Sequence, residues 1–184
     1  MSPELTILLA IAVPLFGSAA ILLTGKFPNI RETATLVTAV TLFLAVVSLV
    51  PVLHAGGRPS VTPLEILPGL DITFTVEPLG MLFGLIASGL WIVNSLYSIG
   101  YMRGNEEQNQ TRFYFFFAIA LSSAVGVAFA GNMLTLFIFY EILTLSTYPL
   151  VTHSGKPEAL KSGRTYLGIL LSTSIGLQLL AIIW

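Results

Sequence analysis

Apolar residues along this chain gather into six runs, and the polar and charged residues collect in the intervals between them. Each run approaches the ~20 residues that carry a helix across a hydrocarbon core. The first predicted helix spans Leu5 to Leu23, with Pro14 placed to kink it, and Gly25 to Asn29 end it. The second runs from Thr33 to Leu53; its hydroxyl side chains can bond back to carbonyls of their own helix. A third covers Pro78 to Tyr97, a fourth runs from Phe113 to the break at Gly131-Asn132, and a fifth spans Met133 to Val151. After a polar turn, Pro157 opens a sixth that continues to Trp184. The fold class this predicts is all-α, a multi-pass transmembrane bundle of about six helices.

Between the second and third helices lies one long extramembrane stretch, His54 to Glu77, rich in proline and glycine. Its segment Asp71-Ile-Thr-Phe-Thr-Val-Glu77 alternates with period two, which predicts a strand, half of a hairpin lying over the helices. Gly80 and Gly84 form a GxxxG pair at the start of the third helix, a pattern that lets helices approach closely.

Composition strengthens the membrane assignment. The 184 residues are 55% hydrophobic and 9% charged, against about a quarter charged in soluble domains. The N-terminal run has no basic flank, Glu4 being its only charge, and is too long for a secretion signal's apolar core, so it reads as a retained helix. Net charge is −1, which offers no footprint for nucleic acid. Without cysteine there is no disulfide, no Cys-ligated iron–sulfur cluster and no Cys-based zinc site. No catalytic, cofactor-binding or metal-ligating constellation is legible, and the two histidines, His54 and His153, stand alone in predicted loops.

Charge also predicts orientation. The intervals after the first, third and fifth helices lie on one side and, with the start of the sixth helix, hold Lys26, Arg31, Arg103, Arg112, Lys156, Lys161 and Arg164. Only Arg58, of the eight basic residues, falls on the other. The positive-inside rule makes the basic side cytoplasmic and puts the N-terminus outside. At the far end Arg164 is the last charge, and two readings stay open: Trp184 anchors at the outer interface, or the chain is part of a longer protein.

Within the apolar runs one residue stands out. Glu141 falls near the middle of the fifth helix, so its carboxylate lies near the bilayer midplane. Insertion there costs about 2.5–3.5 kcal/mol for a comparable aspartate, and an acid so placed is expected to face protein or water. Thr144, Leu145 and Tyr148 share its face at helical spacing, which makes this the most polar stripe of the helix and a candidate hydrated path. Glu141 is therefore the candidate proton- or ion-handling group; the alternative is a structural glutamate that ties helices together. Lys161 and Arg164, in the first turns of the sixth helix, are weaker candidates, since basic residues at a cytoplasmic helix end also serve as topology anchors. His153 is either a near-surface proton relay or a loop residue. Asn94 is expected to bond to a neighbouring helix, and Glu77 to complement a helix N-terminus.

Five blocks carry a family resemblance: Tyr97-Ser-Ile-Gly-Tyr-Met-Arg103, Arg112-Phe-Tyr114, Gly131-Asn-Met-Leu-Thr-Leu-Phe-Ile-Phe-Tyr-Glu141, Leu145-Ser-Thr-Tyr-Pro-Leu-Val-Thr-His153 and Glu158-Ala-Leu-Lys-Ser-Gly-Arg-Thr-Tyr166. Together they resemble the antiporter-like membrane subunits of respiratory NADH:quinone oxidoreductase, Mrp-type sodium/proton antiporters and membrane-bound hydrogenases. The resemblance implies the N-terminal portion of that fold. Residues 1–112 would hold three helices and the extramembrane stretch, and 113–184 the start of the first translocating repeat, incomplete at the C-terminus. Glu141 matches the family's buried acid in a proton half-channel, with Tyr140 where tryptophan is usual; Lys161 and Arg164 match the basic start of the next helix. The lysines that would exchange protons with Glu141 lie on later helices of the family. The implied partners are the lipid bilayer and other membrane subunits, including the polypeptide carrying those helices, and any redox chemistry would reside in partner subunits. The expected function is proton or cation/proton translocation; the alternative is a non-conducting docking subunit.

Overall fold

The structure, a computed structural model, describes residues 1–67 and 69–183; the expectation placed on Trp184 lies outside the described residues. Helix α1 spans Pro3–Leu23 and remains helical through Pro14. Ser2 caps it, its hydroxyl accepting from the Leu5 amide. Helix α2, Pro28–Val47, continues after a two-residue turn into the short α3, Val50–His54, and the pair makes one span. Next come β1, Ser60–Leu67, and β2, Leu70–Thr75. The remaining helices are α4, Pro78–Gly104, α5, Gln110–Ala128, α6, Met133–Val151, and α7, Pro157–Thr173. A π-helical segment, Ser174–Leu179, and the short α8, Leu180–Ile183, prolong α7. Among the described residues six spans are long and apolar enough to cross a membrane.

Several boundaries differ from those expected, for local reasons. The second helix begins at Pro28, not Thr33: proline is tolerated in a first helical turn, and Arg31 and Glu32, expected in a loop, sit inside the helix and are buried. The third continues past Tyr97 to Gly104, which makes Arg103 a last-turn residue. The fourth starts at Gln110, so Arg112 is helical. His54 is the last residue of α3 rather than a loop residue.

Helix α5 is the hub, packed against α1, α4 and α6 and touching α2, while α7 leans mainly on α6. The core between α1, α2, α4 and α5 contains Ile7, Ile21, Leu42, Val46, Trp91 and Val125. Lipid tails are as apolar as leucine, so packing depends on close approach and on polar ties between helices. Gly80 supplies the first: a Cβ there would lie 2.0 Å from the Ala128 carbonyl oxygen. Gly84 faces the Phe129 ring, so both members of the GxxxG pair turn toward the end of α5. A polar tie runs from α5 to α1, where the buried Ser122 hydroxyl donates to the Ile11 carbonyl at 2.7 Å.

The alternating segment forms β2, as expected, and β1 pairs with it antiparallel in the register Ser60↔Thr75, Val61↔Phe74 and Leu64↔Ile72. Irregularities between Val61 and Leu64 surround Pro63, which lacks a ladder donor. The hairpin is fastened to the α5–α6 junction. The Thr75 amide donates to the Phe129 carbonyl at 2.7 Å, the Gly131 amide to the Thr73 carbonyl at 2.8 Å, and the Thr73 amide to Thr135 Oγ1 at 2.9 Å. Asn132, the N-cap of α6, accepts from the Thr135 amide and donates its own side-chain amide to Asp71.

Candidate functional site

Glu141 stands nine residues into α6, on a helix whose start is fixed by the Asn132 cap. It is half-buried. Its Oε1 accepts a hydrogen bond from the Ser174 hydroxyl, which comes from the first residue of the π-helical segment. Ser174 is itself buried and has a second acceptor, the Leu171 carbonyl at 3.3 Å. Single-turn π segments are frequent at functional sites, and here the segment begins at the residue that meets the intramembrane acid.

The other residues singled out from the sequence take separate places. Thr144 is buried and Tyr148 half-buried further along α6. The Thr144 carbonyl accepts from Thr147, the Tyr148 carbonyl accepts from Thr152, and the Tyr148 ring lies beside Gly163 of α7. Neither side chain hydrogen-bonds to Glu141 among the described residues. Lys161 and Arg164 are exposed on α7, with no ion pair among the described residues. His153 sits in the turn after α6, edge-on to Phe113 with ring centroids 5.7 Å apart, and Arg112 donates to its carbonyl at 3.2 Å. Both of its ring nitrogens are buried without a partner among the described residues. Burial, and secondarily the charge of Arg112, hold the imidazole below its usual range, so it is neutral at pH 7.

A second charged constellation went unread in the sequence. Glu32 is 5% exposed and Arg31 4%, and they pair at 3.3 Å near the basic end of the bundle. Arg103 closes on the same carboxylate from α4, its Nε 3.0 Å from Oε1 and its Nη2 2.5 Å from Oε2. Arg31 also donates to Thr111 Oγ1 at 3.1 Å and Gln110 Oε1 at 2.8 Å on α5, and stacks over Tyr114 at 5.2 Å. One carboxylate and two guanidiniums thus bind α2, α4 and α5 together. Arg31 Nε and the Tyr114 hydroxyl remain without partners among the described residues. The sequence signal was an Arg-Glu pair beginning three residues after Pro28, a proline able to start a helix. Glu32 is a buried acidic residue, held by both guanidiniums.

With this geometry in hand, comparison with known proteins gives a consistent family. No protein-family model matches the chain. It is 29% identical over 149 residues to a Na(+)/H(+) antiporter subunit of Alkalihalophilus pseudofirmus, a match covering 79% of this chain and 17% of the relative. It is 26% identical over 122 residues to a Na(+)/H(+) antiporter subunit of Staphylococcus aureus, covering 65% of this chain and 15% of that one. The fold is similar to a chain of the Mrp complex from Dietzia sp., with a TM-score of 0.80 and 20% identity over 95% of this chain and 33% of the other. It is also similar to a chain of the membrane-bound sulfane sulfur reductase, an archaeal respiratory membrane complex, with a TM-score of 0.76 and 20% identity over 92% and 36%. Sequence and fold both match the antiporter-like, Mrp-type Na+/H+ antiporter subunit family. The chain spans 15% and 17% of the length of these two curated relatives.

Two outcomes follow from the charged groups. Glu32→Gln leaves Arg31 buried without its counter-charge, and unfolding in detergent should show a loss of about 3–5 kcal/mol. For His153 the folded state binds its proton less readily than the unfolded chain, whose imidazole titrates near 6.5. Stability is therefore at its full value above about pH 6.5 and falls as the pH drops below it. A thermal-unfolding series across that range should flatten in His153→Phe.

Proposed function

We propose that this chain is a proton- or cation/proton-translocating membrane subunit of an antiporter-like complex of several polypeptides, with Glu141 as the carboxylate that takes up and releases the proton. The observation that carries this is Glu141 itself: an acid at bilayer depth, engaged by a buried hydroxyl at a π-helical turn. The antiporter names of the relatives support the same assignment. Glu32 is the second acid available, set apart from Glu141 by its two guanidinium partners. His153 stands in the turn two residues beyond the end of α6, and Val151, the last helical residue, is ten residues from Glu141, about 15 Å of helix. Thr144 and Tyr148 lie between them, and water held by such groups would complete a path from the basic side. Lys161 and Arg164 belong to that side's charged rim. Residues 113–184 correspond to the start of a translocating repeat, and other membrane subunits would supply the later helices with which Glu141 exchanges protons. Residues 1–112 pack beside it as a supporting unit. Any redox chemistry belongs to partner subunits.

Orientation follows from the basic residues: the 105–109 turn faces the cytoplasm, and the hairpin and N-terminus face outward. An accessible tag at Asn105 should be reached only from the cytoplasmic side and one at Gly69 only from outside; the opposite pattern refutes the orientation. In vesicles holding the complete assembly, Glu141→Gln should cut proton flux at least tenfold while leaving assembly intact, and Glu141→Asp should retain more. Full flux in the glutamine variant would leave the docking role.

A further inference from the structure

Among the described residues Ser174 is the one hydroxyl donor on Glu141, and its hydrogen has two acceptors within reach: Glu141 Oε1 and the Leu171 carbonyl at 3.3 Å. A hydroxyl owns one hydrogen and two lone pairs, so it serves one acceptor at a time while accepting from another donor. From this geometry we infer that Ser174 is a positioning residue for proton exchange at Glu141, a two-setting rotor that follows the charge of the carboxyl. The inference rests on the reading of Glu141 as the proton-handling carboxylate. With Glu141 ionised, the Ser174 hydrogen points to Oε1. When Glu141 gains a proton, its own O–H donates to Ser174 Oγ, and the Ser174 hydrogen turns to the Leu171 carbonyl. One proton is added to the carboxylate and no other covalent bond changes. The group therefore stays hydrogen-bonded in both charge states at a depth where an orphaned polar atom is costly.

The π segment provides the setting. It starts at Ser174, directly after the last turn of α7, and brings the serine against the middle of α6. Few other groups compete for Glu141. Its own helix carries Tyr140 and Tyr148; α5 carries Arg112 and Tyr114, both at the basic end. On α7 the titratable residues are Glu158, Lys161, Arg164 and Tyr166, all at least eight residues before Ser174 on the way to the basic side, and the π segment and α8 have none. On β2, Asp71 is engaged by Asn132 and Thr73. Gln178, four residues beyond Ser174 in the π segment, is half-buried and uncharged.

The test uses vesicles holding the complete assembly, with flux read against pH. Ser174→Ala removes the donor that favours the ionised carboxylate; flux should fall about tenfold and its half-maximal pH move about one unit upward. Ser174→Thr keeps the hydroxyl and should restore both. A purely packing role would leave the pH profile in place. If Ser174→Ala does not assemble, Ser174→Cys keeps a weak S–H donor and should shift the profile the same way by less. In infrared difference spectra of the assembly, the protonated carboxyl band lost in Glu141→Gln should move in the serine variants. An unmoved band, or parental flux and pH profile without the hydroxyl, overturns the inference while a dead Glu141→Gln keeps the translocation reading. Full flux in Glu141→Gln overturns both.

Discussion

Hydrocarbon offers no hydrogen bonds, so each polar group carried to membrane depth must find its partner within the protein. This requirement shapes the bundle. Serine and threonine hydroxyls return to carbonyls of their own helices, as Thr38 does to Ala34 and Ser88 to Gly84. Where a hydroxyl bonds across helices, as Ser122 does to Ile11, it marks a place where two helices are held in register. The charged groups obey the same requirement at higher stakes. Among the described residues Glu32 is met by two guanidiniums, whereas Glu141 is met by one neutral hydroxyl. That difference in partner separates a carboxylate anchored in an ion-pair network from one whose charge can change with less disruption.

The two halves of the chain meet this requirement unequally. Around α1, α2, α4 and α5 the interior is closed, with Trp91 and Phe129 almost fully shielded and the arginine–glutamate cluster joining three of the four helices. Beyond α5 the packing thins: α6 lies against α5, and α7 has little besides α6 to lean on. Glu141 and Ser174 lie in that thinner part. The flank formed by α6 and α7 is thus the more open side of the bundle.

The sequence made some of this legible and hid the rest. Long apolar runs carry their own signal, so six spans could be read, and α6 begins and ends where the Gly131-Asn132 break and the polar turn put it. Glu141 announced itself as an acid inside such a run. Period-two alternation exposed β2, but Pro63 interrupts the pattern in β1, and the partner strand stayed hidden. The Arg31 cluster was missed because its members lie about eighty positions apart, in segments that each look like ordinary loop or helix-end sequence. Ser174 was missed for a similar reason. A serine in an apolar helix draws no notice until the fold sets it opposite Glu141, and a π-helical turn leaves no clear mark in hydrophobic periodicity.

The seam between the hairpin and α6 has a mechanical meaning. Backbone bonds from Thr73 and Thr75 to the α5–α6 junction, with the Asn132 side chain bridging Asp71 and the first turn of α6, make β2 and the N-terminal end of that helix a single stiff piece. Glu141 lies nine residues along from Asn132, about 14 Å of helix. A push or tilt applied to the hairpin outside the membrane is transmitted as leverage rather than absorbed as slack. The extramembrane ribbon is a handle on the helix that carries the acid.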